Sequence, residues 1–189
     1  MSDSPRRRIE PEMMVGVSAV FIGVCALVVS LYEANIMRAE QRASVLPLLE
    51  LGRSYYVAED RPTEDWRLEF HAENVGIGPA TVKDFRVLVD GKPHQTWNSA
   101  MGALLERDAD VSYGQSTING RTVPAGRLVT MFSLRDTELA ADAAAQSGRL
   151  EFEACFCSVF DECWTTTYSQ FGVAVPVEAC AADESSFLE

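Results

Sequence analysis

The chain has 189 residues, of which 47% are hydrophobic, 23% charged and 9% aromatic, an ordinary globular composition and too apolar for a disordered chain. That length is about one domain and excludes a large multidomain enzyme; the net charge of −12 repels phosphate backbones and excludes nucleic acid as a partner. The charge is unevenly placed: of 16 basic and 28 acidic residues, five of each precede Leu46, so everything beyond that point carries the whole deficit.

Residues 13–32 (MMVGVSAVFIGVCALVVSLY) contain no charge. At about 1.5 Å rise per residue they span roughly 30 Å, the thickness of a bilayer's hydrocarbon core, which predicts a transmembrane helix. A cleaved signal peptide has a shorter apolar stretch and a small-x-small cleavage site, and neither is found. The triple arginine Arg6–Arg8 before the span predicts a cytoplasmic tail over residues 1–12 and an exported remainder. Within the span, Gly16, Ala19, Gly23, Ala26 and Ser30 follow one another at steps of three and four. Small residues aligned on one face allow close backbone approach, so this seam is expected to pack against another helix.

Good helix formers continue to Ala43, with no Gly or Pro until Pro47, and predict a helical stalk over residues 33–45. From Leu46 the hydrophobic period changes to two. Residues 47–53 form a first strand candidate. Residues 66–74 alternate Trp66, Leu68, Phe70 and Ala72 against charged neighbours, as a half-buried antiparallel strand does. The run NVGIGPA (74–80) reads as a turn, with glycines available for positive φ. Val82–Val89 returns, and Asp90-Gly91 signals a hairpin into a short strand over 92–96. Asn98 is the expected cap of a short helix reaching Glu106. Weak strands over 111–116 and 121–123 precede a stronger one over 127–134, and Asp136 is the expected cap of a second helical insertion. Strands over 149–157 and 163–169 complete about eight, the count of an antiparallel β-sandwich over residues 46–177, with 178–189 as a C-terminal tail.

The NVGIGPA turn, the segment DFRVLVDGK and the later TVPAGRLVTMFSL together resemble bacterial immunoglobulin-like domains of the cell-adhesion-related CARDB type. MRAEQRASVLPLLEL with CFCSVFDECW also resembles uncharacterised bacterial single-pass inner-membrane proteins. The resemblance implies a mainly β, immunoglobulin-like fold behind a membrane anchor, and brings no catalytic motif with it.

Cys155, Cys157, Cys163 and Cys180 are an even set clustered beyond the span, which reads as disulfides in an oxidising compartment, most simply a bacterial periplasm. Four cysteines allow three pairings. If residues 158–162 form a hairpin loop, Cys157 and Cys163 face each other at the separation a disulfide needs, leaving Cys155 for Cys180 on the last segment. The spacing lacks a Cys-x-x-Cys pair, so no metal or redox centre is expected from it. His71, between Glu69 and Glu73, is read as one residue of a solvated face, with a cation site there a remote alternative. Gly114-Gln115-Ser116 lacks the closing glycine of a nucleophile elbow. No cofactor is implied. The expected function is non-enzymatic: a periplasmic interaction module, a structural or accessory component that binds another membrane protein or itself, with the bilayer holding its helix. A periplasmic ligand-binding or sensing module is the alternative.

Overall fold

A computed structural model describes residues 11–56, 67–107, 112–135, 137–168 and 173–189. The expected roles of Arg6–Arg8, of Trp66 and Val111 as strand residues and of Asp136 as a cap lie outside these residues, as does the end of the strand expected to reach Ser169. The chain divides into two units, Met1–Ala43 and Ser44–Glu189.

In the first unit, α1 runs through Pro11–Ala43 as one uninterrupted helix of 33 residues. It is long and apolar enough to cross a membrane, with a mean hydropathy of 2.5 in its most apolar window, and none of that window is covered by protein. Its apolar side chains stand in the open, from Met13 at 56% exposure to Tyr32 at 67%.

The second unit is built from antiparallel strands. One sheet has the order β1 (Leu49–Tyr56), β2 (Arg67–Asn74), β7 (Leu128–Leu134), β5 (Tyr113–Gln115). The other has the order β10 (Val175–Val177), β9 (Cys163–Thr167), β8 (Leu150–Cys157), β3 (Ala80–Val89), β4 (Lys92–His94), with β6 (Thr122–Val123) also paired to β3. Among the described residues, strand content is 36% and helix content 34%. The expected mainly β character therefore belongs to this unit and not to the whole chain, because α1 alone supplies much of the helix.

Inward residues of both sheets enter one core. Leu68, Phe70 and Ala72 on β2 and Leu150, Phe152, Ala154 and Phe156 on β8 are buried, as their period of two demands. The rings of Phe70 and Phe152, from different sheets, meet at 4.8 Å. Two bulges reset the alternation. Pairing with β8 jumps from Val82 to Asp84, leaving Lys83 as the extra residue, so Ala80 and Val82 face inward before it and Phe85, Val87 and Val89 after it. Pairing of β2 with β7 skips Met131, which is why Met131 and Phe132 are both buried.

Two helices close the core. α2 spans Trp97–Leu105 and buries Trp97, Ala100, Met101, Leu104 and Leu105, the spacing of one helical face. Its cap is Thr96, not Asn98: the Thr96 hydroxyl accepts from the Ser99 amide at 3.2 Å. A cap one residue before Trp97 lets the helix start with that ring against Phe132 at 4.6 Å and Phe70 at 6.1 Å, and burial of this aromatic cluster decides the register. The preceding strand accordingly stops at His94, short of the expected Thr96. α3 spans Thr137–Gln146 and packs on β2 and α2, followed by a 3-10 turn at Ser147–Arg149.

The segment expected as a tail, residues 178–189, is part of this packing. Phe187 is 1% exposed, its amide donates to Phe85 O at 2.8 Å, and Leu188 N donates to Gln95 O at 3.0 Å. The short strand β10, not expected from the sequence, leads into it.

Candidate interaction surfaces

Gly16, Ala19, Gly23, Ala26 and Ser30 all fall within the continuous helix α1 and are exposed. A Cβ built on Gly16 or Gly23 would meet nothing within 4 Å among the described residues. Ser18, the small residue off the seam, returns its hydroxyl to Met14 O at 2.8 Å. Cys25 is the free cysteine, exposed on the same helix.

In the second unit, the four cysteines lie at disulfide distance as two pairs. Cys155 and Cys180 have their sulfurs 2.05 Å apart, and Cys157 and Cys163 have theirs 2.10 Å apart. Cys157 and Cys163 are direct partners in the β8–β9 register, the position from which two Cβ atoms on one face converge. Cys157 Sγ and Cys180 Sγ are 3.7 Å apart, so the two bridges touch. The grouping of Cys157, Cys163 and Cys180 sulfurs within 4.8 Å of one another is the consequence of that stacking.

The last segment covers the face of β8 that carries Cys155 and Cys157. Asp84, on the neighbouring strand opposite Cys155, is buried and accepts from the Ser186 hydroxyl at 2.6 Å. Arg86 Nε lies 2.9 Å from Asp84 Oδ2, close enough for an ion pair but misaligned for a hydrogen bond, while its Nη2 donates to Asp183 at 2.9 Å. The Ser185 hydroxyl and amide both donate to Asp183, and with the Arg86 charge they hold its carboxyl below the usual carboxylate range. Beside this network runs an open groove of about 260 Å³ lined by Arg86, Glu153, Thr165 and Thr167.

The two histidines are held apart. The His71 ring lies across Gly52 of the paired strand, where a Cβ would come within 2.3 Å of its Nε2; its Nδ1 is 3.5 Å from Ser54 Oγ. Glu69 accepts from the Ser133 hydroxyl at 3.2 Å, and its carboxylate is 3.7 Å from Arg67 Nη1. His71 thus packs over a neighbouring strand. His94 Nδ1 shares a 2.8 Å hydrogen bond with Ser99 Oγ, tying β4 to α2. Burial, and then the charge of Lys92, push its pKa below the usual histidine value, so the neutral ring can accept from the serine hydroxyl.

One end of the unit has a different character, and sequence reasoning missed it. There the NVGIGPA turn wraps around buried Asn74. Its Nδ2 donates to Gly78 O at 2.8 Å and Val123 O at 2.9 Å; its Oδ1 accepts from Gly76 N at 3.1 Å and Leu48 N at 3.2 Å. Gly76 and Gly78 do not have the positive φ expected of them. They are glycines because the backbone passes too close: a Cβ on Gly78 would lie 1.8 Å from Val45 O and one on Gly76 2.3 Å from Leu48 N. Ile77 N and Gly78 N donate to Leu46 O, fastening the turn to the start of the unit.

Around this knot the apolar side chains face outward. Leu46 is 45% exposed, Val75 44%, Ile77 66% and Leu128 46%. The β8–β9 hairpin tip adds Val159 at 58% and Phe160 at 47%. That tip belongs to the same end, because Cys157, which precedes it, pairs with Thr81 at the start of β3. These six exposed apolar side chains therefore share one end of the unit. The missed signal is the run Val75-x-Ile77 in a turn, where polar residues are the rule.

Together the two units define a long apolar helix joined at Ser44 to an antiparallel two-sheet domain with a disulfide-fastened last segment. No family model matches this chain, and no curated protein matches it significantly.

Proposed function

We propose that this is a single-pass protein of a bacterial inner membrane, with a cytoplasmic N-terminus and an immunoglobulin-like, CARDB-type β-sandwich in the periplasm. It acts as a non-enzymatic interaction module, a structural or accessory component of a membrane protein assembly. The observation that carries this reading is the helix: a window of mean hydropathy 2.5 with no protein covering it, ending immediately before a folded domain. Orientation is supported by Arg6–Arg8 ahead of the span, and the compartment by two cysteine pairs at disulfide distance.

The test is purification of the full chain from membranes in mild detergent, beside a Gly23→Leu variant that places a large side chain in the small-residue seam. A stoichiometric membrane partner, or a second copy, should accompany the natural chain and be lost from the variant. A monomer without companions would overturn the reading.

A further inference from the structure

We infer that the open groove between β6 and the start of β7 receives an extended acidic segment of a partner protein, which adds a strand to the free edge of β7 and sets its carboxylates on Arg121 and Arg127. The inference goes beyond the reading of the helix, since it concerns the second unit alone.

The groove has a volume of about 450 Å³, and Ser116, Thr122 and Thr130 line it together with the two arginines. None of its lining residues is acidic, although 23 acidic residues against 11 basic ones lie from Leu46 onward. Other arginines of the unit are neutralised by that excess: Arg86 by Asp84 and Asp183, Arg107 by Asp142, Arg149 by Asp90 and Glu106. Arg121 and Arg127 have no ion pair or side-chain hydrogen bond among the described residues.

Two matching turns present them. Arg121 N donates to Ile118 O at 3.0 Å and Arg127 N to Pro124 O at 3.2 Å, and in each turn the residue before the arginine is a glycine with positive φ, Gly120 at 72° and Gly126 at 68°. Both arginine carbonyls are held as well, Arg121 O by Val82 N at 2.8 Å and Arg127 O by Asn74 N at 3.0 Å. The backbones that carry the two charges are therefore fixed before any ligand arrives.

The strand edge is an independent observation. β7 pairs with β2 from Leu128 onward, but β5 on its other side reaches only Phe132–Leu134, and the last bond there runs from Ser116 N to Met131 O. Because Arg127 O faces β2, the alternation of an antiparallel ladder turns the amides and carbonyls of Leu128 and Thr130 the other way, where they have no partner among the described residues. An unpaired edge of this kind is a template for an added strand.

The two features together select the occupant. Val129 turns into the core beside Ala72, and Leu128 faces outward beside Glu73. An added strand alternates in the same way, sending one set of side chains into the groove toward the arginines and the other alongside Leu128, which is 46% exposed. Carboxylates suit the first set, because a guanidinium binds them through paired hydrogen bonds. Apolar side chains suit the second, because Glu73 repels further negative charge there. A small free anion would use the arginines and leave the strand edge unpaired.

The experiment is fluorescence anisotropy of a labelled seven-residue peptide of alternating valine and glutamate, titrated with the full chain in an uncharged detergent. This peptide should bind saturably, and its valine–lysine counterpart should not. Arg121→Gln combined with Arg127→Gln should weaken binding about tenfold or more, as loss of charge-assisted hydrogen bonds does. Lys92→Gln, at the end of β3 remote from β6, should change it less than twofold. Methylating alternate amides of the peptide should abolish binding, and hydrogen exchange at Leu128 and Thr130 should slow when the unmethylated peptide is present. The inference is overturned if the valine–glutamate peptide does not bind, if the double arginine variant binds it as well as the natural chain, or if the methylated peptide binds equally. Inorganic phosphate that binds at the arginines more tightly than the peptide would overturn it in favour of a small-anion site. Copurification of a membrane partner and its loss from Gly23→Leu are read separately, so either reading can fail while the other stands.

Discussion

Phe187 meets Phe85 twice: their rings stand edge to face with centroids 5.7 Å apart, and the Phe187 amide donates to the Phe85 carbonyl at 2.8 Å. The Phe187 ring also stands against Trp97 at 5.0 Å. Glu189, two residues on, accepts from the Trp97 amide at 2.9 Å and from the Tyr113 hydroxyl at 3.3 Å. The last residues therefore seal a core laid down by strands nearly a hundred residues earlier. Phe187→Ala should lower unfolding free energy by about 3–5 kcal/mol, the cost of emptying a buried aromatic site. Leu188→Ala, at a side chain 71% exposed, should change it by less than about 0.5 kcal/mol. Urea denaturation of the two variants measures the difference.

The disulfide-distance pairs contribute unequally. By loop-closure entropy, a bridge over a separation of 25 residues restricts the unfolded chain by about 3.5 kcal/mol and one over 6 residues by about 2 kcal/mol. Replacing Cys155 and Cys180 together by alanine should therefore destabilise the domain more than replacing Cys157 and Cys163. The first double variant should also release the last segment, because Phe187 loses its nearest covalent anchor. Thermal unfolding of the two double variants, with hydrogen exchange at Phe187 and Leu188, reads both effects.

Asn74 uses both its amide hydrogens and its carbonyl oxygen to join four backbone groups from three stretches of chain. Asn74→Ala leaves those buried groups without partners, at about 1–3 kcal/mol for each one not rescued by water. Asn74→Asp should be at least as harmful, since it turns a donor into a second oxygen facing Gly78 O and Val123 O. Gly78→Ala is expected to be severe for a different reason, the collision with Val45 backbone. Chemical denaturation ranks the three against the natural domain.

Much of this was legible in the sequence where the causes are local. Asp90-Gly91 announces its hairpin because both residues adopt positive φ, at 50° and 73°, as the tight turn requires. The alternation of Leu68, Phe70 and Ala72 fixes a buried face by period alone. The phase change at Lys83 was not legible, because a bulge is defined by the partner strand and not by the strand that carries it. The apolar end and the packed last segment were hidden for the same reason. Phe187 follows the polar run Asp183–Ser186 and precedes exposed Leu188, and only β3 and α2, remote in sequence, make it a core residue. Gly76 and Gly78 were read as turn glycines with positive φ, when the real constraint is the backbone at Val45 and Leu48.

His94 gives the domain a stability that depends on pH. Its folded pKa lies below the usual value of 6.5 because burial, and then Lys92, disfavour the charged ring. A histidine with a depressed folded pKa binds fewer protons folded than unfolded just below pH 6.5, so folding is favoured less as pH falls. Its contribution is complete above about pH 6.5 and is lost as pH drops through the folded pKa. Nuclear magnetic resonance of the His94 ring should give a midpoint below 6.5. His94→Asn should remove the corresponding slope from the stability profile as pH falls below about 6.5.

Thr166 on β9 provides a case where a substitution should improve the fold. It is fully buried, its register partner is Ala154, and its neighbours on the same strand face include Trp164, which stacks on Phe156 at 5.9 Å. Its hydroxyl oxygen has no hydrogen-bond partner among the described residues. A buried hydroxyl left unpaired costs about 1–3 kcal/mol, whereas a methyl of the same shape costs nothing in desolvation. Valine matches threonine in volume and β-branching, and it favours strands at least as strongly. Thr166→Val should therefore raise unfolding free energy by about 1 kcal/mol, with an unchanged denaturant slope because the folded surface is the same. Thr165→Val, on the opposite and partly exposed face, is the control and should leave stability within about 0.5 kcal/mol of the natural domain. A loss of stability on Thr166→Val would mean that the hydroxyl is satisfied and that this part of the core is polar by design.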